Sequence, residues 1–159
     1  MQPRRPVLLH ATAVALPVDA GWAGVLLRGT PGSGKSDLAL RLIDQGARLI
    51  ADDQTELCPT DAALMLRAPA RTAGRLEVRG LGLVPVATVD QAPLVLAADL
   101  VDAASIERLP PPRSVTLAGY RIAAVQLAPF EASAAVKLRL AVGAACAGSL
   151  GDLDKMAAS

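Results

Sequence analysis

The chain reads as an α/β domain, and three observations carry that reading. Its 159 residues are 52% apolar, yet the only aromatics are Trp22, Tyr120 and Phe130. A core of Ala, Leu and Val suits a sheet whose strands are covered on both faces. Short β-rich runs are interspersed with two helical stretches, one near residue 40 and one near residue 136. Finally, the run Ala23-Gly24-Val25-Leu26-Leu27-Arg28 feeds directly into Gly29-Thr30-Pro31-Gly32-Ser33-Gly34-Lys35-Ser36, and a helical pattern follows.

Residues 29–36 complete the pattern Gly-x-x-x-x-Gly-Lys-Ser/Thr, and each part has a mechanical purpose. The glycines let the backbone wrap a polyphosphate with its N–H groups turned inward, and the helix N-terminus adds positive field behind them. Lys35 would reach the β- and γ-phosphates, and the Ser36 hydroxyl would ligate Mg²⁺. A Gly/Ser turn with an incidental lysine is the plain alternative, and the strand–loop–helix context weighs against it. A nucleoside triphosphate is therefore expected at Gly29, Thr30, Pro31, Gly32, Ser33, Gly34, Lys35 and Ser36.

The remaining elements follow in order. Residues 7–16 alternate weakly and read as a first strand, with Pro17-Val18-Asp19-Ala20-Gly21 as a turn before strand 23–28. Apolar residues at 38, 39, 42 and 43 mark the helix after the loop, and Gly46 stops it. Arg48-Leu49-Ile50-Ala51 reads as a buried strand ending at Asp52-Asp53. Short strands near 55–58 and 63–67 flank the turn Pro59-Thr60-Asp61. Arg75-Leu76-Glu77-Val78-Arg79 alternates, and 80–86 is punctuated by glycine. Pro93 to Ala98 is another buried strand, and Leu109-Pro110-Pro111-Pro112 a stiff linker. An edge hairpin about Gly119 pairs 114–118 with 121–127, and a final helix is predicted over Phe130 to Val142, with Glu131 at its N-terminus.

Composition narrows the function classes. A net charge of +1 gives no pull toward nucleic acid or an anionic membrane, and so few aromatics make a poor base-stacking surface. Neither partner is expected. No apolar stretch approaches the ~20 residues of a membrane span, and the start Met1-Gln2-Pro3-Arg4-Arg5-Pro6 makes a poor signal peptide, so a cytoplasmic protein is expected. Cys58 and Cys146 lie far apart without metal-ligand spacing and read as small buried hydrophobes in a reducing compartment. The expectation is one domain over 1–159, with a core at about 7–142 and a loose Gly/Ala/Ser-rich tail from 143 to 159.

Phosphoryl transfer needs a cation to spread developing charge and a carboxylate to hold that cation or receive a proton. Asp52 and Asp53 end a buried strand, and two adjacent carboxylates repel unless a metal or phosphate cluster compensates. Successive extended residues point to opposite sides, so the two should do different jobs, one toward Mg²⁺ and one toward an incoming hydroxyl. A solvated turn is the alternative. Asp99, at the end of the run 94–98, reads instead as an exposed turn residue. Glu77 shares a strand face with Arg79, and the glycines that follow suggest a close backbone approach rather than an idle surface.

Together these segments resemble the catalytic domain of the HPr kinase/phosphorylase family, bacterial enzymes that act on a serine of the phosphocarrier HPr. The carriers of the resemblance are the loop 29–36, Gly46-Ala47-Arg48-Leu49-Ile50-Ala51-Asp52-Asp53, and Leu76-Glu77-Val78-Arg79-Gly80-Leu81-Gly82-Leu83-Val84-Pro85-Val86. The second and third are more diagnostic than the loop. The resemblance implies a nucleotide-binding fold of the HPr kinase and phosphoenolpyruvate-carboxykinase type, a mixed sheet with flanking helices. It implies His10, Lys35, Asp53 and Arg108 as catalytic residues, with Asp53 as general base toward serine and general acid in reverse. Ser36 and Glu77 match the Mg²⁺ ligands, and Asp52 joins them as a metal candidate. ATP and Mg²⁺ would be the cofactors, HPr the protein partner, and a homo-oligomer, a hexamer in the family, the assembly.

Two departures from the family pattern shape the functional expectation. The family's N-terminal domain has no counterpart, so a catalytic domain standing alone is expected. The family's Gly-Arg-Asn loop, tied to dephosphorylation, is replaced by Ala128-Pro129-Phe130-Glu131. The leading expectation is a protein-serine kinase with weak reverse activity. A small-molecule kinase and a non-catalytic nucleotide sensor are the alternatives, the latter needing the loop but not Asp53.

Overall fold

The computed structural model describes residues 4–148. Eleven strands and two helices follow the expected order: β1 (Val7–Leu9), β2 (Thr12–Val18), β3 (Gly21–Arg28), α1 (Lys35–Asp44), β4 (Arg48–Ala51), β5 (Thr55–Pro59), β6 (Leu64–Arg67), β7 (Arg75–Val78), β8 (Gly82–Pro85), β9 (Gln91–Leu100), β10 (Arg113–Leu117), β11 (Tyr120–Leu127) and α2 (Ala134–Cys146).

Strand β9 organises them. Its first residues pair antiparallel with β6, which leads through β5 to β1. Its later residues pair parallel with both β3 and β11, which therefore flank it. Beyond β3 come β2 and then β4, each antiparallel to its neighbour, and β10 covers β11. The main sheet thus runs β4-β2-β3-β9-β11-β10, with β4, β3, β9 and β11 pointing the same way. Their carboxyl ends and the start of β2 share one edge, where open α/β sheets collect ligands.

The two faces of this sheet bury different partners. Ala23, Val25 and Leu27 of β3 pack with Leu38, Ala39 and Leu42 of α1 and with Leu138 and Val142 of α2. Leu26, between them, packs on the other side with Ala13, Ala15, Leu57, Leu64 and Leu66. Helices therefore cover one face, and the curled β1-β5-β6 layer covers the other. A bulge in β9 serves both layers: Gly24 pairs with Leu94 but Val25 with Leu96, so one extra residue reverses the side-chain alternation. Leu94 consequently joins the β5–β6 side and Leu96 the helical side.

The structure departs from the expected elements in several places. The run 7–16 is two strands, because Val7–Leu9 pairs with β5 whereas Thr12–Val18 pairs with β3 and β4. The chain bends at His10 to change layers. The last helix begins at Ala134 rather than Phe130, since turns close from Glu131 to Ala128 and from Ala134 to Glu131, and the Arg41 guanidinium takes the carbonyls of Pro129 and Glu131. It then continues to Cys146, so residues 143–146 of the expected loose tail are helical, while 149–159 lie outside the described residues. The cysteines are free, as expected, but not buried: Cys58 is half-buried and Cys146 exposed. Cys58 follows core-facing Leu57 on β5 and so turns outward.

Candidate active site

Four neighbouring segments build a site on the shared sheet edge. The loop 29–36 leaves the end of β3 and closes with Ser33 N–H donating to Thr30 O at 3.0 Å. Gly34, at φ +99°, starts α1 with no side-chain cap, so the helix N-terminus offers its amides to an outside acceptor. Gly29 must be glycine for a different reason: a methyl there would lie 2.3 Å from Ser33 Oγ. Lys35 is buried and spans the loop, its Nζ donating to Gly29 O at 2.8 Å and Thr30 O at 3.0 Å.

The acidic pair divides sharply. Asp52 is buried, and its carboxylate is held on three sides. Oδ1 accepts from Thr12 Oγ1 at 3.1 Å and Ser36 Oγ at 2.8 Å, and Oδ2 accepts from the Glu77 N–H at 3.0 Å. Asp53 instead adopts a left-handed backbone, φ +66°, a conformation Asp tolerates better than most residues. That turn swings its carboxylate into solvent, 63% exposed, where Oδ1 stands 3.1 Å from His10 Nε2. The two carboxylates do face different ways as expected, but the cause is the turn at Asp53 rather than strand alternation.

Thr12 is the functional candidate that sequence reasoning passed over. Fully buried, its hydroxyl donates to Asp52 and accepts the Asp53 N–H at 3.2 Å, so one side chain sets both acids. The available signal was a lone hydroxyl in an apolar strand two residues after His10.

The other predicted positions distribute unevenly. Glu77 reaches the site through its backbone N–H, while its side chain is exposed. Gly80 and Gly82, at φ +90° and +96°, close the β7–β8 hairpin, and an added methyl would meet nothing at either. They serve a tight turn, not the close approach expected of them. Arg108 lies exposed in the segment between β9 and β10. Asp99 is not an exposed turn residue. It lies within β9, partly buried, and binds Arg28 through two hydrogen bonds of 2.7 and 3.0 Å, because parallel pairing sets these residues side by side.

The residues present fit a nucleotide and its cation. Ser33 Oγ is buried without a hydrogen-bond partner, an orphan that a phosphate oxygen would satisfy. Ser36 directs its proton to Asp52, which leaves the oxygen lone pairs free for a cation. Among the described residues no three His, Cys, Asp or Glu side chains form a stand-alone metal cage. A Mg²⁺ ion held by a phosphate-loop hydroxyl would need none, since phosphate oxygens and waters would supply its other ligands.

HPr kinase/phosphorylase of Clostridium beijerinckii is 46% identical over 72 residues, covering 45% of this chain and 24% of that protein. The Clostridium acetobutylicum protein of the same name is 44% identical over 69 residues, with 43% and 23% covered. The chain thus spans about a quarter of the length of these relatives. The solved structure of the Hpr(Ser) kinase/phosphatase from Coxiella burnetii superposes with a TM-score of 0.70 at 26% identity, over 84% of this chain and 86% of that one. The family model for the HPr serine kinase C-terminal domain matches residues 9–100, more than half of the molecule, and the chain belongs to that family.

Proposed function

We propose that this chain is an ATP-dependent protein-serine kinase acting on a phosphocarrier of the HPr type. The observation that carries the reading is the divided acidic pair: Asp52 locked to Ser36 beneath the loop, and Asp53 open to solvent beside His10. Lys35 exchanges its loop carbonyls for β- and γ-phosphate oxygens, and the amides of residues 32–36 orient the triphosphate. Ser36 and Asp52 would hold a Mg²⁺ ion, with the Glu77 side chain as a third candidate, and a cation there would supply neutralisation of the phosphate charge.

The Asp53 carboxylate accepts the proton of the substrate serine as the serine oxygen bonds to the γ-phosphorus. The bond from that phosphorus to the β,γ-bridging oxygen breaks, and ADP leaves. His10 orients Asp53 and stabilises its charge. Arg108, exposed on the segment after β9, is the further cationic candidate for the transferring phosphoryl group.

The forward reaction should dominate. Phosphorolysis needs donors for a second anion, aligned with the leaving serine oxygen. In the segment 128–131, Pro129 has no N–H, Glu131 brings a like charge paired with Lys137 at 2.7 Å, and two carbonyls face Arg41. The exposed Val136 and Leu140, one turn apart on α2, suit a contact between copies in a homo-oligomer. No described helix is long and apolar enough to cross a membrane, in keeping with a cytoplasmic role.

Labelled ATP mixed with purified HPr and this chain tests the proposal. Label should reach HPr but not an HPr variant with its target serine replaced by alanine. Transfer to both, or to neither, would overturn it.

A further inference from the structure

The mechanism above leaves one exposed aromatic beside the loop unused. Phe130 is 71% exposed, although the chain has only three aromatic residues. Its ring is seated against the loop itself. A methyl on Gly34 would come 2.9 Å from Phe130 Cζ, 3.1 Å from Cε1 and 3.2 Å from Pro129 Cβ. The backbone here is not a loose strap. Arg41, itself paired with Asp37 at 3.1 Å, binds the carbonyls of Pro129 and Glu131 and ties the segment to α1.

The order of strands gives this placement its meaning. His10 stands just before β2, Thr12 at its start, and Asp52 and Asp53 just past the end of β4, on one side of β3. Phe130 follows β11, on the other side, beyond β9. A triphosphate whose γ-phosphate lies at Ser36 and Asp53 must direct its α-phosphate and nucleoside away from those carboxylates. That direction leads across the loop toward Phe130. A phosphate gains nothing from a benzene ring, whereas every nucleobase has a π-face that stacks on one.

We propose that Phe130 is the stacking platform for the base of the nucleotide bound at residues 29–36. The inference rests on reading those residues as the nucleotide site, and it adds the second contact that fixes the nucleotide's direction. Stacking tolerates either purine, so the platform contributes affinity and orientation rather than a choice between adenine and guanine.

Calorimetric titration of the chain with ATP and with inorganic tripolyphosphate tests the idea. The unaltered chain should bind ATP more tightly than tripolyphosphate. Phe130→Ala should weaken ATP by about 10-fold and leave tripolyphosphate unchanged. Equal weakening of both ligands would make the ring a mere packing element, and unchanged ATP binding would remove the platform; either result overturns the proposal. Failure of the unaltered chain to bind tripolyphosphate would overturn the loop reading itself, a separate result. A Phe130→Trp variant supplies an independent signal, because ATP should quench its added fluorescence and tripolyphosphate should not. Native Trp22 lies at the far end of β3, about 20 Å from the loop, and gives the background for that comparison.

Discussion

Replacing Asp53 by Asn separates chemistry from structure at this site. The substitution keeps the side chain's size and its tolerance of the left-handed backbone at φ +66°, and the Asp53 N–H still reaches Thr12. The carboxylate is 63% exposed and its partner is His10, itself 58% exposed, so this contact contributes less than about 1 kcal/mol to stability. What Asn removes is the proton acceptor. Transfer to HPr should fall by about 10²–10⁴-fold, or about 3–5 kcal/mol of barrier, while ATP affinity and melting temperature stay nearly unchanged. Asp52→Asn is the contrast. An amide in place of the buried carboxylate sets an NH₂ group against donors from Thr12, Ser36 or Glu77. Hydrogen bonds to a charged group are each worth about 1.5–3 kcal/mol, so the melting temperature should drop by about 4–10 °C. The assays are labelled transfer to HPr, ATP calorimetry and thermal melts on the same preparations. Asp53→Asn retaining transfer within about tenfold of the unaltered chain would refute the general-base assignment. Indistinguishable losses from the two variants would refute the division of labour.

Thr12→Val preserves shape but deletes both hydroxyl bridges, so kcat and thermal stability should fall with the KM for ATP little changed. Thr12→Ser should restore most of both, and failure of that rescue would show that the methyl, not the hydroxyl, matters. Glu77→Ala should raise the Mg²⁺ concentration for half-maximal activity by about 10-fold if its carboxylate joins the cation. An unaltered metal titration would mean that only the Glu77 backbone N–H takes part, through Asp52. Burial pushes the Cys58 thiol up against the opposing field of Arg67, so less thiolate is present at a given pH. In a Cys146→Ser background, iodoacetamide should therefore label Cys58 more slowly at pH 8 than it labels a free cysteine, with the rate rising as pH is raised; labelling as fast as the free amino acid would contradict this.

Much of the fold was legible because its signals are local. Alternation exposed the strands, turn residues bounded them, and Gly46 ended α1 at φ +105° as a C-terminal glycine should. The failures share one physical origin, contacts supplied by distant parts of the chain. The break at His10 exists because β1 and β2 find partners in different layers. The late start of α2 depends on a guanidinium from α1. Asp99 reads as a turn only until Arg28 pairs with it across β3 and β9.

The site follows the same division. Its phosphate loop is contiguous and was readable, whereas the setting of its acids is assembled from β2, α1, β4 and β7. Asp52 draws its three hydrogen bonds from positions 12, 36 and 77, which no window of sequence contains together. That arrangement also explains how adjacent aspartates coexist. Three donors surround the buried carboxylate of Asp52, and a turn carries Asp53 out to water, so the two side chains are kept apart. An acid fixed below the loop and another free above it is the separation that metal placement and proton acceptance require. A single buried threonine hydroxyl holds the two apart, and a survey of motifs alone passes over it.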